Sequence, residues 1–206
     1  MKSISDIVKI KMKKNCSFLG PIFKSVLFPK LVLTVANRNW KTIPPEILAN
    51  VPTLRELYLD GNQLENVEEL ATRIKKLHVL NLYGNHIREA PFANKEIHEL
   101  YLGHNQLTTQ GLSRLFPTKT RELFLSNNKI TDEGLAEIAK GLRNNQTLQY
   151  LSLHHNEISN IQPLLDILPT TRITSLDLAN NFLDVESIQA LQRVPQLWDL
   201  DVEDQS

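Results

Sequence analysis

Residues 54–64 read LRELYLDGNQL, and the phrase returns at 77–87 as LHVLNLYGNHI and at 97–107 as IHELYLGHNQL. It continues as TRELFLSNNKI at 120–130, LQYLSLHHNEI at 148–158 and ITSLDLANNFL at 173–183. Both inner apolar positions are leucine in every copy, and the polar position after them is Asn62, Asn85, Asn105, Asn128, Asn156 or Asn181. A unit this short cannot bury its own apolar face. Stacked copies can, so a period in this range signifies a solenoid. The leucine–x–leucine alternation sends leucines to one side of a short strand and their neighbours to the other.

Outward from these copies the pattern decays at both ends. Leu33, Val35 and Trp40 form a degenerate unit with Arg38 in the asparagine place, and Leu197, Leu200 and Val202 form an incomplete last one. Atypical end units are expected where an apolar core must be closed against water. The count is eight units, six of them regular. The asparagines are spaced by 23, 20, 23, 28 and 25 residues, so the side opposite the strands should be uneven. In the longest unit Thr131 is placed to cap a helix whose apolar stripe is Leu135, Ile138, Ala139 and Leu142. Shorter helices are expected at about 66–75, 160–168 and 185–193, and none in the short unit containing Pro91.

The LxxLxLxxNxL phrase resembles that of the leucine-rich-repeat family over residues 30 to 203, and the units around 120–158 are similar to its ribonuclease-inhibitor type. The resemblance implies an α/β fold: a curved, right-handed solenoid, or horseshoe, with a parallel concave sheet and short convex helices. It also implies a structural role for Asn62, Asn85, Asn105, Asn128, Asn156 and Asn181, whose side chains would bond the backbones of adjacent turns in a ladder. On this reading residues 31–206 are the repeat domain. Residues 1–30 match no repeat and are read as a basic capping segment, helical because Ile4, Ile7 and Val8 share one helical face. The competing reading makes them a basic amphipathic element that touches a membrane or an acidic partner.

The formal charge of zero hides an asymmetry. Residues 1–45 carry a net +8 and the remainder a net −8. An acidic body argues against a nucleic-acid partner. The most apolar stretch, Cys16 to Val35, is broken by Lys24, Lys30, Pro21 and Pro29, which disfavours a membrane span. A single cysteine forms no internal disulfide, so a reducing cytoplasm is the simplest location; the overall resemblance to bacterial leucine-rich-repeat effectors implies the alternative, secretion into a host cell. Met12, followed by two lysines, is an alternative start.

The residues flanking the inner leucines should face a partner. Five successive units each supply one aromatic: Tyr58, Tyr83, Tyr101, Phe124 and Tyr150. The same columns hold Glu56, Asp60, Glu99, Glu122, Asp177, Asp199, Asp201 and Glu203 but no lysine or arginine, with Arg55 and Arg121 at the margin. His154 joins this set. Large amphipathic rings are enriched at interfaces, so the expected site is an acidic groove with an aromatic floor, taking a basic protein surface or a Lys/Arg-rich segment. Acids on the last strand also discourage edge-to-edge association. His78 and His98 share a column and should lie close together, but a third metal ligand is not evident. No P-loop, GxSxG, HExxH or CxxC occurs, and Cys16 has no identifiable partner. The expectation is a monomeric, non-catalytic protein-binding module without cofactor. The alternative is a scaffold or regulatory subunit, with the basic leader as a second contact.

Overall fold

The computed structural model describes residues 9–10 and 31–205, and only the backbone of the first two. The helical cap read into residues 1–30 therefore lies almost wholly outside the described residues. Lys9–Ile10 (β1) is a strand that pairs antiparallel with β2, Val32–Thr34. From β2 onward every pairing is parallel and between consecutive strands, in the order β1 to β9. These are β3 (Glu56–Tyr58), β4 (Lys76–Asn81), β5 (Glu96–Tyr101), β6 (Glu122–Phe124), β7 (Tyr150–Ser152), β8 (Ser175–Asp177) and β9 (Asp199–Asp201). One parallel strand per unit gives eight units, as counted in the sequence.

Register keeps equivalent residues side by side: Leu33, Leu57, Leu80, Leu100, Leu123, Leu151, Leu176 and Leu200 are partners along the sheet. The inner leucines of the six regular copies are at most 1% exposed. Burying each of these leucines contributes roughly 1.5–3 kcal/mol to the array.

The connections back from each strand differ with their length. α1 (Pro45–Asn50) and α2 (Glu68–Arg73) are single short helices. The 28-residue unit forms α4 (Asp132–Leu142), with Leu135, Ile138, Ala139 and Leu142 all buried. Thr131 stands at its N-cap but accepts no backbone hydrogen bond; its hydroxyl instead donates to Glu133 at 2.6 Å. α5 (Gln162–Leu165) is followed by a 3-10 turn at Leu168–Thr170, and α6 spans Val185–Gln192. The unit with Pro91 has no helix, and its connection instead buries Ala90 and Phe92 in the core. The sequence reading missed α3 (Thr109–Ser113). Its cap is Thr108, whose hydroxyl accepts from Gly111 N–H at 3.0 Å. Gly111 permits the close approach there, because a Cβ would sit 2.1 Å from the carbonyl oxygen of Arg88.

Each asparagine at the end of the inner-leucine phrase is buried and bonds two turns at once. The Asn105 side-chain amide donates to Leu82 O and Leu102 O at 3.0 Å each, and its carbonyl accepts from Ile87 N–H at 3.0 Å. Asn62, Asn85, Asn128, Asn156 and Asn181 make equivalent bonds to the preceding turn and to their own. In the last unit Gln205 does the same, donating to Leu178 O at 3.0 Å and Val202 O at 3.1 Å. The residue before each of these positions, in all eight units, has a positive φ: Asn37, Gly61, Gly84, His104, Asn127, His155, Asn180 and Asp204. That conformation penalises a Cβ and selects Gly, Asn, Asp and His.

Candidate functional site

The sheet surface opposite the helices is built from the residues on either side of the central leucine column, with a third column two residues further along. The first column runs Glu56, Val79, Glu99, Glu122, Tyr150, Ser175, Asp199 and the second Tyr58, Asn81, Tyr101, Phe124, Ser152, Asp177, Asp201. The third holds Asp60, Tyr83, His154 and Glu203. None of the three carries a lysine or arginine.

The five aromatics do not make one continuous stripe. Tyr101 and Phe124 are register partners and stack, with ring centroids 4.3 Å apart and planes inclined by 7°. Phe124 meets Tyr150 at 4.9 Å and 40°, although Tyr150 stands in the first column. Tyr83, in the third column, turns edge-on to His104 at 4.9 Å. Tyr58 is separated from Tyr101 by Asn81, one strand away from each. The result is a stacked pair with a third, tilted ring against it at the centre, one ring at the margin, and one across a gap. Which ring contacts form depends on the column each residue occupies.

The acids are tied into this surface. The Tyr58 hydroxyl donates to Glu56 at 3.2 Å and that of Tyr101 to Glu99 at 3.4 Å. Partial burial, reinforced by Glu99 and Glu122, pushes the Tyr101 phenol up to about 12. Burial and Glu56 raise Tyr58, and burial and Asp177 raise Tyr150. Asp177 accepts from Ser152 at 2.9 Å and Asp199 from Ser175 at 2.5 Å, while His154 lies 3.9 Å from Asp177. Asp60 accepts from Asn81 at 3.3 Å. Asp201 and Glu203 lie at the far edge, on and beside β9. The surface therefore concentrates negative charge around partly exposed aromatic rings.

Its margin is basic. Arg55, His78, His98 and Arg121 follow one another along the N-terminal ends of the strands. The rings of His78 and His98 are 5.3 Å apart, as their shared column required. Burial, the neighbouring His78 and then Arg121 and Lys76 lower the His98 pKa, favouring its neutral form. His78 sits 3.6 Å from Glu99. Among the described residues no group of three His, Cys, Asp or Glu could hold a metal ion. Nor is any helix among them long and apolar enough to cross a membrane. Cys16 lies outside the described residues.

The repeated strand–turn architecture and its asparagine bonding define a solenoid of stacked repeats. The chain is a leucine-rich-repeat protein. A family model for leucine-rich repeats in two copies matches residues 52–95, and one for a single leucine-rich repeat matches 93–116, 121–139 and 144–161. Among solved structures, internalin C2 of Listeria monocytogenes is 27% identical with a TM-score of 0.56, covering 84% of this chain and 73% of its own. A second internalin of that species, InlF, is 21% identical with a TM-score of 0.44, covering 83% of this chain and 60% of its own. No curated protein sequence matches. Proteins of this fold class are typically interaction modules, and the fold supports a protein-interaction role in general for this chain.

Proposed function

We propose that the chain binds a protein through the surface of its parallel sheet, and that the partner presents a Lys/Arg-rich segment. The observation that carries this reading is the cluster of Tyr101, Phe124 and Tyr150 beside Glu99, Glu122 and Asp177, with no lysine or arginine in the three columns. Packed rings lose little entropy on binding, and interface hot spots are enriched in tyrosine. Carboxylates already held by Tyr101 and Ser152 keep accepting capacity for a cationic donor. No catalytic role or cofactor belongs to this reading.

Panning a displayed random-peptide library on the chain tests it. Enriched peptides should be rich in lysine and arginine. Tyr101→Ala and Phe124→Ala should each weaken the selected peptides by about 2 kcal/mol. The two losses should be non-additive, because the rings touch one another. Glu99→Lys with Glu122→Lys should slow association and flatten its salt dependence, whereas Lys140→Gln on α4 should change neither. Neutral or acidic selected peptides, or parental affinity in the double aromatic variant, would refute the proposal.

A further inference from the structure

Within that surface one position interrupts the aromatic column. Tyr58 and Tyr101 are in register two strand steps apart, with Asn81 between them. Where a ring does occupy the next place, at Phe124, it stacks directly on Tyr101. The face of Tyr101 turned away from Phe124 therefore looks along the column towards Tyr58, across a short amide. That amide is drawn aside: its nitrogen donates to Asp60 and its oxygen accepts from Tyr83 N–H at 3.0 Å. Two strand steps span about 9.6 Å, and a flat group between two rings needs about 7 Å at ordinary carbon contact distances.

Within the three columns the charged groups around this notch are all acidic, and the cationic side lies beyond the first column, where Arg55 follows the strand ends and His78 sits 3.6 Å from Glu99. Glu56 and Glu99 stand in the first column beside Tyr58 and Tyr101, each accepting from the neighbouring phenol, and Asp60 stands on the opposite side. Val79, between the two glutamates, is buried and adds no polar group. The negative faces of two rings and three carboxylates suit a flat delocalised cation better than a compact ammonium.

We infer that the notch between Tyr58 and Tyr101, over Asn81, receives an arginine side chain of the bound protein, its guanidinium lying between the rings. This rests on the sheet-surface reading above and adds the identity and place of the anchoring residue. Phe124 and Tyr150 then contact the segment beside that arginine.

The test uses the full chain and N-acetyl-arginine methylamide, followed by NMR of tyrosine ring and asparagine side-chain signals, with the lysine and citrulline analogues in parallel. Saturable shifts should centre on Tyr58, Asn81 and Tyr101. The lysine analogue should bind several-fold more weakly, and citrulline, which keeps the shape without the charge, should cause no saturable shift. Asn81→Phe, which fills the notch and keeps every charge, should weaken arginine binding about tenfold or more; Tyr58→Leu should weaken it too. Citrulline matching arginine, full binding by Asn81→Phe, or shifts equally large at Asp177, Asp199 and Asp201 would overturn the inference. If it falls while Tyr101→Ala and Phe124→Ala still weaken binding of the selected peptides, only the notch assignment is lost. If those variants also bind normally, the reading of the whole surface goes with it.

Discussion

Asn105 shows how one side chain joins two turns. Its amide nitrogen satisfies carbonyls of two successive units and its oxygen an N–H of the earlier one, all in the interior. Leucine at that site would leave these groups unpaired, so Asn105→Leu should cost on the order of 1–3 kcal/mol. Denaturant titration will read it as a lower midpoint, and a parental midpoint would contradict the bonding described. The neighbouring position answers to the backbone. His104 and His155 hold positive φ just before Asn105 and Asn156, so these two histidines are accounted for by turn geometry. Gln205 was not recognised from the sequence because it is not asparagine. Its place three residues after Val202, matching that of each asparagine after the second inner leucine, is the signal that identifies it.

Among the elements, α4 is joined to the following unit by one carboxylate. Asp132, at its first turn, accepts from Ser159 N–H at 2.8 Å, Asn160 N–H at 2.9 Å and the Ser159 hydroxyl at 2.8 Å. Desolvation is the largest single influence and would raise its pKa, but the bonds from Asn160 and Ser159 together outweigh it and hold the carboxyl below its ordinary value. A depressed folded value contributes stability above the unfolded carboxylate value of about 3.9, and that contribution is lost as pH falls through the lower folded value. Asp132→Ala should therefore cost about 1 kcal/mol near neutrality. The gap between variant and parent unfolding free energies should close below about pH 4. A gap independent of pH would show that the carboxylate charge is not involved. Gly111 has a steric role: Gly111→Val would drive α3 away from Arg88 and should lower the melting temperature by several degrees, on the order of 1–3 kcal/mol for overpacking.

Across the whole molecule the two ends of the sheet differ. At one end β1 pairs antiparallel with β2; at the other, β9 carries Asp199 and Asp201, with Leu200 and Val202 only half-buried and Trp198 fully 77% exposed. An open sheet edge templates association, and charge on it opposes that. Removing residues 1–30 takes away β1 and exposes the unpaired groups of β2. The truncated chain should show a lower melting temperature and a concentration-dependent increase in size by light scattering. A monomer with parental stability would mean that β1 protects nothing and would favour a second-contact role for the basic leader.

The sequence alone determined the number of units, the leucine column and the asparagine positions. Each is imposed within a single turn by periodicity and by the need to pair buried polar groups, and copying the turn copies the requirement. It also determined where α4 forms, since an apolar stripe at helical spacing needs no distant partner to be recognised. It did not reveal α3, whose five residues depend on Thr108 and on Gly111 packing against Arg88 from another unit. The site divided in the same way. That Tyr58, Tyr83, Tyr101, Phe124 and Tyr150 point outward followed from alternation along each strand. Which rings touch was decided only by register between strands: Tyr101 against Phe124, Asn81 in the gap, Tyr83 against His104. Contacts across a stack depend on how turns of unequal length align, and that alignment exists only once the solenoid is folded.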